Sequence, residues 1–70
     1  MERIPVVSSN IASIGYDPET FILEVEFHSG GIYQYFDVPQ QVYIDFVNAE
    51  SKGRFLWQYI RDVYEYTRVE

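Results

Sequence analysis

The sequence predicts a single α+β domain over residues 1–70, in which a three-stranded antiparallel β-meander packs against two C-terminal helices. Three observations predict this fold: a central segment with alternating apolar residues, turn sequences on both sides of it, and two later segments with helical apolar spacing. Seventy residues allow one domain, and a composition that is 47% hydrophobic and 19% aromatic can supply its core.

The central strand spans residues 21–27, between an Asp17–Thr20 turn and a Ser29–Gly31 turn. Its apolar residues share one face: Phe21, Leu23, Val25 and Phe27. Glu24 and Glu26 take the other face, which is typical of a half-buried strand. The first strand is predicted over Ile11–Tyr16, with three residues on its core face: Ala12, Ile14 and Tyr16.

The third strand is predicted over Ile32–Asp37, after the glycine turn. A three-residue loop with a bulge would place Phe27 opposite Tyr33 and Val25 opposite Tyr35. Both tyrosines then face the core and Gln34 faces water. A two-residue loop would reverse the faces and bury Gln34, so the bulged loop is favoured.

Two helices follow, each with an apolar stripe. The first begins near Pro39 and its stripe consists of Val42, Tyr43, Phe46 and Val47. The second has Ser51 as its N-cap, and its stripe consists of Phe55, Leu56, Tyr59 and Ile60. Residues 63–69 alternate again, as an edge strand or an extended arm, and residues 4–7 are a candidate edge segment because of Pro5.

Composition excludes several classes of protein. The chain has no cysteine, so disulfides and thiolate metal sites are absent. No apolar run approaches the roughly 20 residues of a membrane span, and the N-terminus lacks the apolar stretch of a signal peptide. We expect a cytoplasmic protein with no membrane partner.

Charge is distributed unevenly. The net charge of −6 argues against nonspecific nucleic-acid binding. Residues 1–50 hold eight acidic residues and one basic residue, whereas residues 51–70 hold three acidic and four basic residues. The end of the chain is therefore the place to look for an anion-binding surface.

Neither catalysis nor metal binding is indicated. His28 is the sole histidine, and nothing in the sequence supplies the orienting acid or oxyanion hole that a His28–Ser29 pair would need. Glu24, Glu26 and His28 share one strand face but are spaced about 6–7 Å apart, which favours a solvated face over a metal site. We expect no enzyme activity, no cofactor and no metal.

The start of the second helix is the best candidate binding site. Ser51, Lys52, Gly53 and Arg54 combine free N–H groups with two cations, a pattern that favours phosphate. Arg61 and Arg68 would extend this surface if the tail folds back. Trp57 lies off the apolar stripe, so it is either a contact residue or packed against the tail.

Several segments resemble the KTSC domain. This short domain occurs at the C-terminus of some lysyl-tRNA synthetases and also as stand-alone small bacterial or phage-like proteins. The similar segments are Gly15-Tyr16-Asp17, the alternating Leu23/Val25/Phe27, Gly31 to Tyr35, Val38-Pro39, Ala49 to Phe55, and Ile60-Arg61. Tyr33 and Tyr35 match the central Tyr-x-Tyr of that family. The resemblance implies no assigned activity and suggests RNA as a ligand.

Two functions follow as hypotheses. In the first, the chain is a non-catalytic accessory module that binds RNA through the helix start, with Tyr33 and Tyr35 available to stack on bases or, as their register favours, to pack under the helices. In the second, it is a protein-interaction module or a small homo-oligomer, because its surface is acidic and aromatic.

Overall fold

The computed structural model describes all 70 residues, as one antiparallel sheet with the helices on one face. The five strands are β1 (Arg3–Pro5), β2 (Ile11–Asp17), β3 (Ile22–Phe27), β4 (Ile32–Tyr35) and β5 (Tyr66–Arg68). The helices are α1 (Gln40–Asn48) and α2 (Lys52–Phe55), and α2 continues as a π-helical segment, Leu56–Ile60. No helix combines the length and the apolar character needed to cross a membrane.

The sheet has five strands, so the predicted three-stranded meander was too small. Strand order follows chain order, β1-β2-β3-β4-β5, and every neighbouring pair is antiparallel. The two terminal segments provide the additional strands, because β2 and β4 would otherwise leave a row of unpaired backbone groups at each side of the meander. The α+β class and both helices are confirmed.

A bulge in β2 changes which residues reach the core. The pairing of β2 with β3 shifts between Ile11 and Ser13. The extra residue, Ala12, lets both Ile11 and Ile14 point inward, and both are fully buried. Ala12 was predicted to be a core residue and is not one, because the bulge breaks the period of two on which that prediction depended.

The pairing of β3 with β4 is also shifted from the predicted register. Val25 lies opposite Tyr33 and Leu23 lies opposite Tyr35. The Phe27 N–H donates to the Gly31 carbonyl at 2.9 Å, so the turn closes directly across a three-residue loop with Gly30 at a φ of 104°. The shift is two residues, and the tyrosines therefore keep the predicted core-facing side.

The core lies between this sheet face and the helices. Its fully buried side chains are Ile11, Ile14, Leu23, Val25, Val38, Phe46 and Ile60. The predicted stripe of the second helix holds for Leu56 and Ile60 but not for Tyr59, which is 56% exposed. The π-helical turn changes the angular spacing on which that stripe was predicted, and Tyr59 packs beside Phe55 at 4.9 Å instead.

The opposite sheet face carries a hydrogen-bonded polar network. Glu24 is buried there, and it accepts hydrogen bonds from the side chains of Arg3 and Gln34. Ser13 accepts from Arg3 at 3.0 Å and donates to Glu26 at 2.8 Å. Because every buried side-chain polar atom has a partner, this network stabilises the sheet.

Candidate functional site

A groove of about 700 Å³ lies between the second helix and the β4–β5 side of the sheet. Its helical side is formed by Gly53, Leu56, Trp57 and Arg61. Its sheet side is formed by four aromatic residues: Phe27, Tyr33, Tyr35 and Tyr66. The rest of the lining comes from Ile11, the first residue of β2, and from the β1–β2 and β3–β4 connections, which contribute Ser9, Asn10, His28 and Ser29.

Helical spacing places Gly53, Trp57 and Arg61 on one side, since each is four residues from the next. The Arg61 N–H donates to the Leu56 carbonyl at 2.8 Å, which is the bond from i to i−5 that defines a π-helical turn. Trp57 remains 62% exposed, and the Arg61 guanidinium lies 4.2 Å from the centre of its ring. Trp57 is therefore a surface residue, and its ring contacts the Arg61 guanidinium.

The sheet side is a continuous aromatic surface. The rings of Phe27 and Tyr33 meet edge to face at 5.5 Å, and Tyr66 lies 5.7 Å from Tyr33 and 5.6 Å from Tyr35. Tyr35 is buried, whereas Tyr33 is half-buried and Tyr66 is 55% exposed. The prediction that Tyr33 and Tyr35 pack toward the core is confirmed for Tyr35, and Tyr33 also faces the groove.

Burial, together with the neighbouring Tyr66 and Tyr33, raises the pKa of Tyr35 to about 12. Its phenol therefore stays protonated at neutral pH. The sheet side of the groove consequently offers uncharged rings and a neutral hydroxyl, a surface suited to a flat aromatic ligand.

Two arginines supply the positive charge of the groove. The Arg68 guanidinium lies 5.8 Å from the ring centre of Tyr33, and its Nε donates to the Glu70 carbonyl at 2.8 Å. The protein contains one ion pair, Arg3–Glu24, on the other sheet face. Arg61 and Arg68 are thus held against aromatic rings without a carboxylate partner, and their remaining N–H groups can bind an anion.

The end of the groove is polar. His28 Nε2 lies 2.9 Å from the Ser8 carbonyl oxygen, which can only accept, so this nitrogen carries the proton. The Asn10 side chain has no hydrogen bond within the protein, and its Nδ2 would lie 3.2 Å from a Cβ placed on Gly53. Gly53 therefore makes room for the Asn10 amide.

The structure brings together only some of the predicted binding residues. Gly53, Arg61, Tyr33 and Tyr35 line the groove, and Arg68 lies beside it. Ser51, Lys52 and Arg54 do not line it. Ser51 caps the helix, accepting from the Arg54 N–H at 3.3 Å, and the Lys52 ammonium donates to the Ala49 carbonyl at 2.8 Å. A phosphate contact at this helix start stays a prediction.

The sequence analysis named Tyr33, Tyr35, Gly53 and Arg61 as binding residues and Trp57 as a contact candidate, and it did not indicate the other eight groove residues. These are Ser9, Asn10, Ile11, Phe27, His28, Ser29, Leu56 and Tyr66. The sequence did contain a signal for Tyr66. The alternating tail predicted an edge strand, and such a strand brings a tyrosine beside Tyr33. The sequence contained no such signal for Asn10, because its position depends on the β1–β2 and β3–β4 connections, which meet only in the folded chain.

Residues 7–69, which contain every groove residue, match the KTSC domain. A crystal structure of a KTSC domain protein from Yersinia pestis is similar with a TM-score of 0.96 and 42% identity, covering 99% of this chain and 97% of that one. An uncharacterized protein of Stutzerimonas stutzeri is 44% identical over an alignment of 71 positions that covers 100% of both chains. A lysine–tRNA ligase of a Nostoc species is 39% identical over 61 residues, which are 87% of this chain and 11% of the ligase.

Proposed function

We propose that this chain, which belongs to the KTSC domain family, is a non-catalytic accessory module that binds single-stranded RNA in the aromatic groove. One observation carries the proposal: Arg61 on Trp57 and Arg68 on Tyr33 place two unpaired guanidinium groups beside a surface of aromatic rings. Aromatic rings and cations in one groove are the combination that proteins use to hold unpaired nucleotides.

Stacking supplies the sequence-tolerant part of the affinity. Each base stacked on an aromatic side chain contributes about 1–3 kcal/mol to binding. Trp57 and Tyr66 are more than half exposed, so their rings are accessible without any rearrangement of the core. A duplex does not present its base faces, and for this reason the groove favours an unpaired strand over a helix.

The charge distribution favours a contact with only a short stretch of RNA. The protein as a whole carries a net charge of −6, which repels a polyanion. The two groove arginines oppose this repulsion locally, and guanidinium groups that lie beside aromatic rings still have N–H groups with which to bind a phosphate. We therefore expect a ligand of a few nucleotides at the groove rather than a long track across the surface.

The relatives support an RNA context. Part of the lysine–tRNA ligase from the Nostoc species resembles this chain, and a tRNA ligase handles RNA. A module carried by such an enzyme would contribute binding, with the ligase chemistry belonging to the rest of that protein. For the present chain, the engagement of the sole histidine with the Ser8 carbonyl further favours binding over catalysis.

The test is an NMR titration of isotope-labelled protein with single-stranded RNA hexamers, a matched duplex and tRNA at low and moderate salt. We expect amide shifts at Tyr33, Trp57, Arg61 and Tyr66 that weaken with salt. Trp57 is the sole tryptophan, so its fluorescence gives a second readout of groove occupancy. A spectrum that no RNA changes at low salt would reject the proposal.

Two matched double variants locate the site. Arg61→Gln with Arg68→Gln and Lys52→Gln with Arg54→Gln each remove two positive charges, so they alter the net charge equally. We expect the groove pair to lower RNA affinity about tenfold or more, since each charge-assisted hydrogen bond contributes about 1.5–3 kcal/mol. A larger loss from the Lys52/Arg54 pair would move the site to the helix start.

A protein-interaction function is the second candidate, because the π-helical segment and the turn that follows it expose apolar area of their own. Trp57, Tyr59 and Val63 are 62%, 56% and 63% exposed. Exposed aromatic residues at this density are typical of contact surfaces. Light scattering at high protein concentration tests self-association: a dimer that Tyr59→Ser disrupts would favour this function, and a strict monomer would remove the homo-oligomer version.

A further inference from the structure

We infer that His28 is a third phosphate-binding residue of the groove and that it acts only when its imidazole is protonated. This inference rests on the proposed function, and it adds a pH dependence to RNA binding at the same site. His28 lines the groove and is exposed, so its ring is accessible both to water and to a bound strand. Its ring is also held by the backbone of the β1–β2 connection.

Two hydrogen bonds fix the position of His28. The His28 N–H donates to the Asn10 carbonyl at 2.9 Å, and the ring Nε2 donates to the Ser8 carbonyl at 2.9 Å. Ser8 is itself held, because its Oγ accepts from the N–H groups of Asn10 and Ile11 at 3.3 and 3.2 Å. A carbonyl accepts from Nε2 whether the imidazole is neutral or charged. The second proton therefore goes to Nδ1 and breaks no contact of the fold.

The charge that this proton brings is not neutralised inside the groove. None of the eleven acidic residues of the chain lines it. The acidic residue nearest to His28 along the chain, Glu26, accepts a hydrogen bond from Ser13 on the other sheet face. Protonation therefore adds a third cation to those of Arg61 and Arg68. The new N–H at Nδ1 is a charge-assisted donor for a phosphate oxygen.

His28 lies toward the end of the groove that is away from Arg61. Its backbone is bonded to Asn10, and the Asn10 amide meets the position of Gly53. Gly53 and Arg61 are eight residues apart, which corresponds to about 12 Å at the usual helical rise. At the roughly 3.4 Å spacing of charges along one stacked strand, about four nucleotides span that distance. A strand that binds Arg61 with one phosphate can therefore reach His28 with another.

No other side chain of the groove changes its charge near neutral pH. Histidine is the side chain that ordinarily does so between pH 5 and pH 8, and His28 is the sole histidine of the chain. The other titratable groups at the groove are Arg61, Arg68, Tyr33, Tyr35 and Tyr66. Guanidinium groups stay positive and phenols stay neutral throughout this range. A change in groove affinity between pH 5.5 and pH 7.5 is therefore assigned to one side chain.

The experiment measures Trp57 fluorescence with a uridine hexamer at pH 5.5 and at pH 7.5, over a series of salt concentrations. We expect the wild-type protein to bind about fivefold more tightly at pH 5.5, which is the upper range for an exposed ion pair. The salt slope should gain about 0.7 in magnitude at pH 5.5, because one more phosphate is neutralised. His28→Gln, whose amide can still donate to the Ser8 carbonyl, should give one affinity and one slope at both pH values.

A matched pair of lysine variants tests where the charge must lie. His28→Lys should bind at pH 7.5 about as tightly as the wild type binds at pH 5.5. Asn48→Lys adds the same charge to an exposed residue of α1 outside the groove, and it should leave the affinity nearly unchanged.

Three results would overturn the inference and leave the RNA function standing. They are a wild-type affinity that does not change with pH, a pH dependence that His28→Gln retains, and an equal gain in affinity from Asn48→Lys. If the hexamer does not bind the wild type at either pH, both the inference and the RNA function are overturned.

Discussion

Tyr33 and Tyr35 share a strand and a face, and Tyr35 is buried deeply enough to change its acid–base behaviour. It is 3% exposed, and its pKa is raised to about 12. A raised pKa means that the folded protein holds the phenolic proton after the unfolded chain has lost it. Stability from this group is therefore complete below about pH 10 and is lost as the pH rises toward 12.

This predicts an alkaline loss of stability that depends on Tyr35. The free energy of unfolding should fall by up to about 1.4 kcal/mol per pH unit above pH 10, measured by urea denaturation. Tyr35→Phe should lessen that decline, because phenylalanine has no proton to lose. Tyr59→Phe, at an exposed ring, is the control and should decline as wild type does; an equally steep decline in Tyr35→Phe would contradict the assignment.

For Glu24 we predict the opposite pH dependence, a loss of stability at acid pH. Its burial raises the pKa, but hydrogen bonds from Gln34 and Arg3 and the charge of Arg3 outweigh that effect, so the pKa is lowered overall. A lowered pKa gives stability that is present above the unfolded value and is lost as the pH falls through the folded value. Acidification should therefore weaken the polar network of the outer sheet face.

Glu24→Gln should lower the free energy of unfolding at pH 7 by about 1–2 kcal/mol, because the negative charge facing Arg3 is lost and one of the two accepting oxygens is replaced by an NH₂ group that cannot accept. It should also reduce the difference in stability between pH 7 and pH 3. Glu50→Gln, at an exposed carboxylate, serves as the control in the same denaturation series. A pH dependence that Glu24→Gln leaves unchanged would show that other carboxylates determine it.

At the scale of elements, the close packing of β1 depends on a single glycine. A Cβ on Gly15 would lie 2.5 Å from the Glu2 carbonyl oxygen and 3.0 Å from Arg3 Cγ. The nearest of these atoms belongs to the backbone, which cannot rotate away as the end of a side chain can. Since β1 pairs only with β2, displacement is the simplest way to relieve the clash.

Gly15→Ala should therefore destabilise the protein by about 1–3 kcal/mol and increase hydrogen exchange at the β1 amides. Gly53→Ala provides the contrast, since its Cβ would meet only the flexible amide of Asn10 at 3.2 Å. Alanine favours a helix by up to about 1 kcal/mol over glycine, so this variant should keep or gain stability. If the β1 amides of Gly15→Ala were as protected from hydrogen exchange as those of the wild type, a clash between the new Cβ and the Glu2 carbonyl would be contradicted.

Elements with regular periods were predictable from the sequence, and departures from regularity were not. Alternation located β3, and the stripe ending at Phe46 and Val47 located α1. The bulge at Ala12 left no signal in the sequence, because a bulge adds a residue without changing composition. The π-helical turn also left no signal. It changes the rotation per residue, which a helical stripe treats as constant, and so it moves Tyr59 off the predicted apolar face.

The groove belongs to the scale of the whole molecule, since it forms from parts distant in sequence. Asn10 precedes β2, Tyr33 lies in β4, Trp57 follows α2 and Tyr66 lies in β5. Tyr33, Trp57 and Arg61 were each identified from the sequence, but the sequence did not indicate that they line one groove. The C-terminal strand brings them together, because its pairing with β4 sets Tyr66 beside Tyr33 and Tyr35.

The charge of the whole molecule yields a final prediction, about salt. Two arginines at the groove imply about two neutralised phosphates, so the logarithm of RNA affinity should fall with the logarithm of salt concentration at a slope near −1.4. Changing either Arg61 or Arg68 to glutamine should reduce the magnitude of that slope by about 0.7. Lengthening the strand from six to twelve nucleotides should leave it unchanged, because at neutral pH the groove offers additional phosphates no third cation. A slope that steepens with strand length would instead place the RNA along a longer basic surface that includes Lys52 and Arg54.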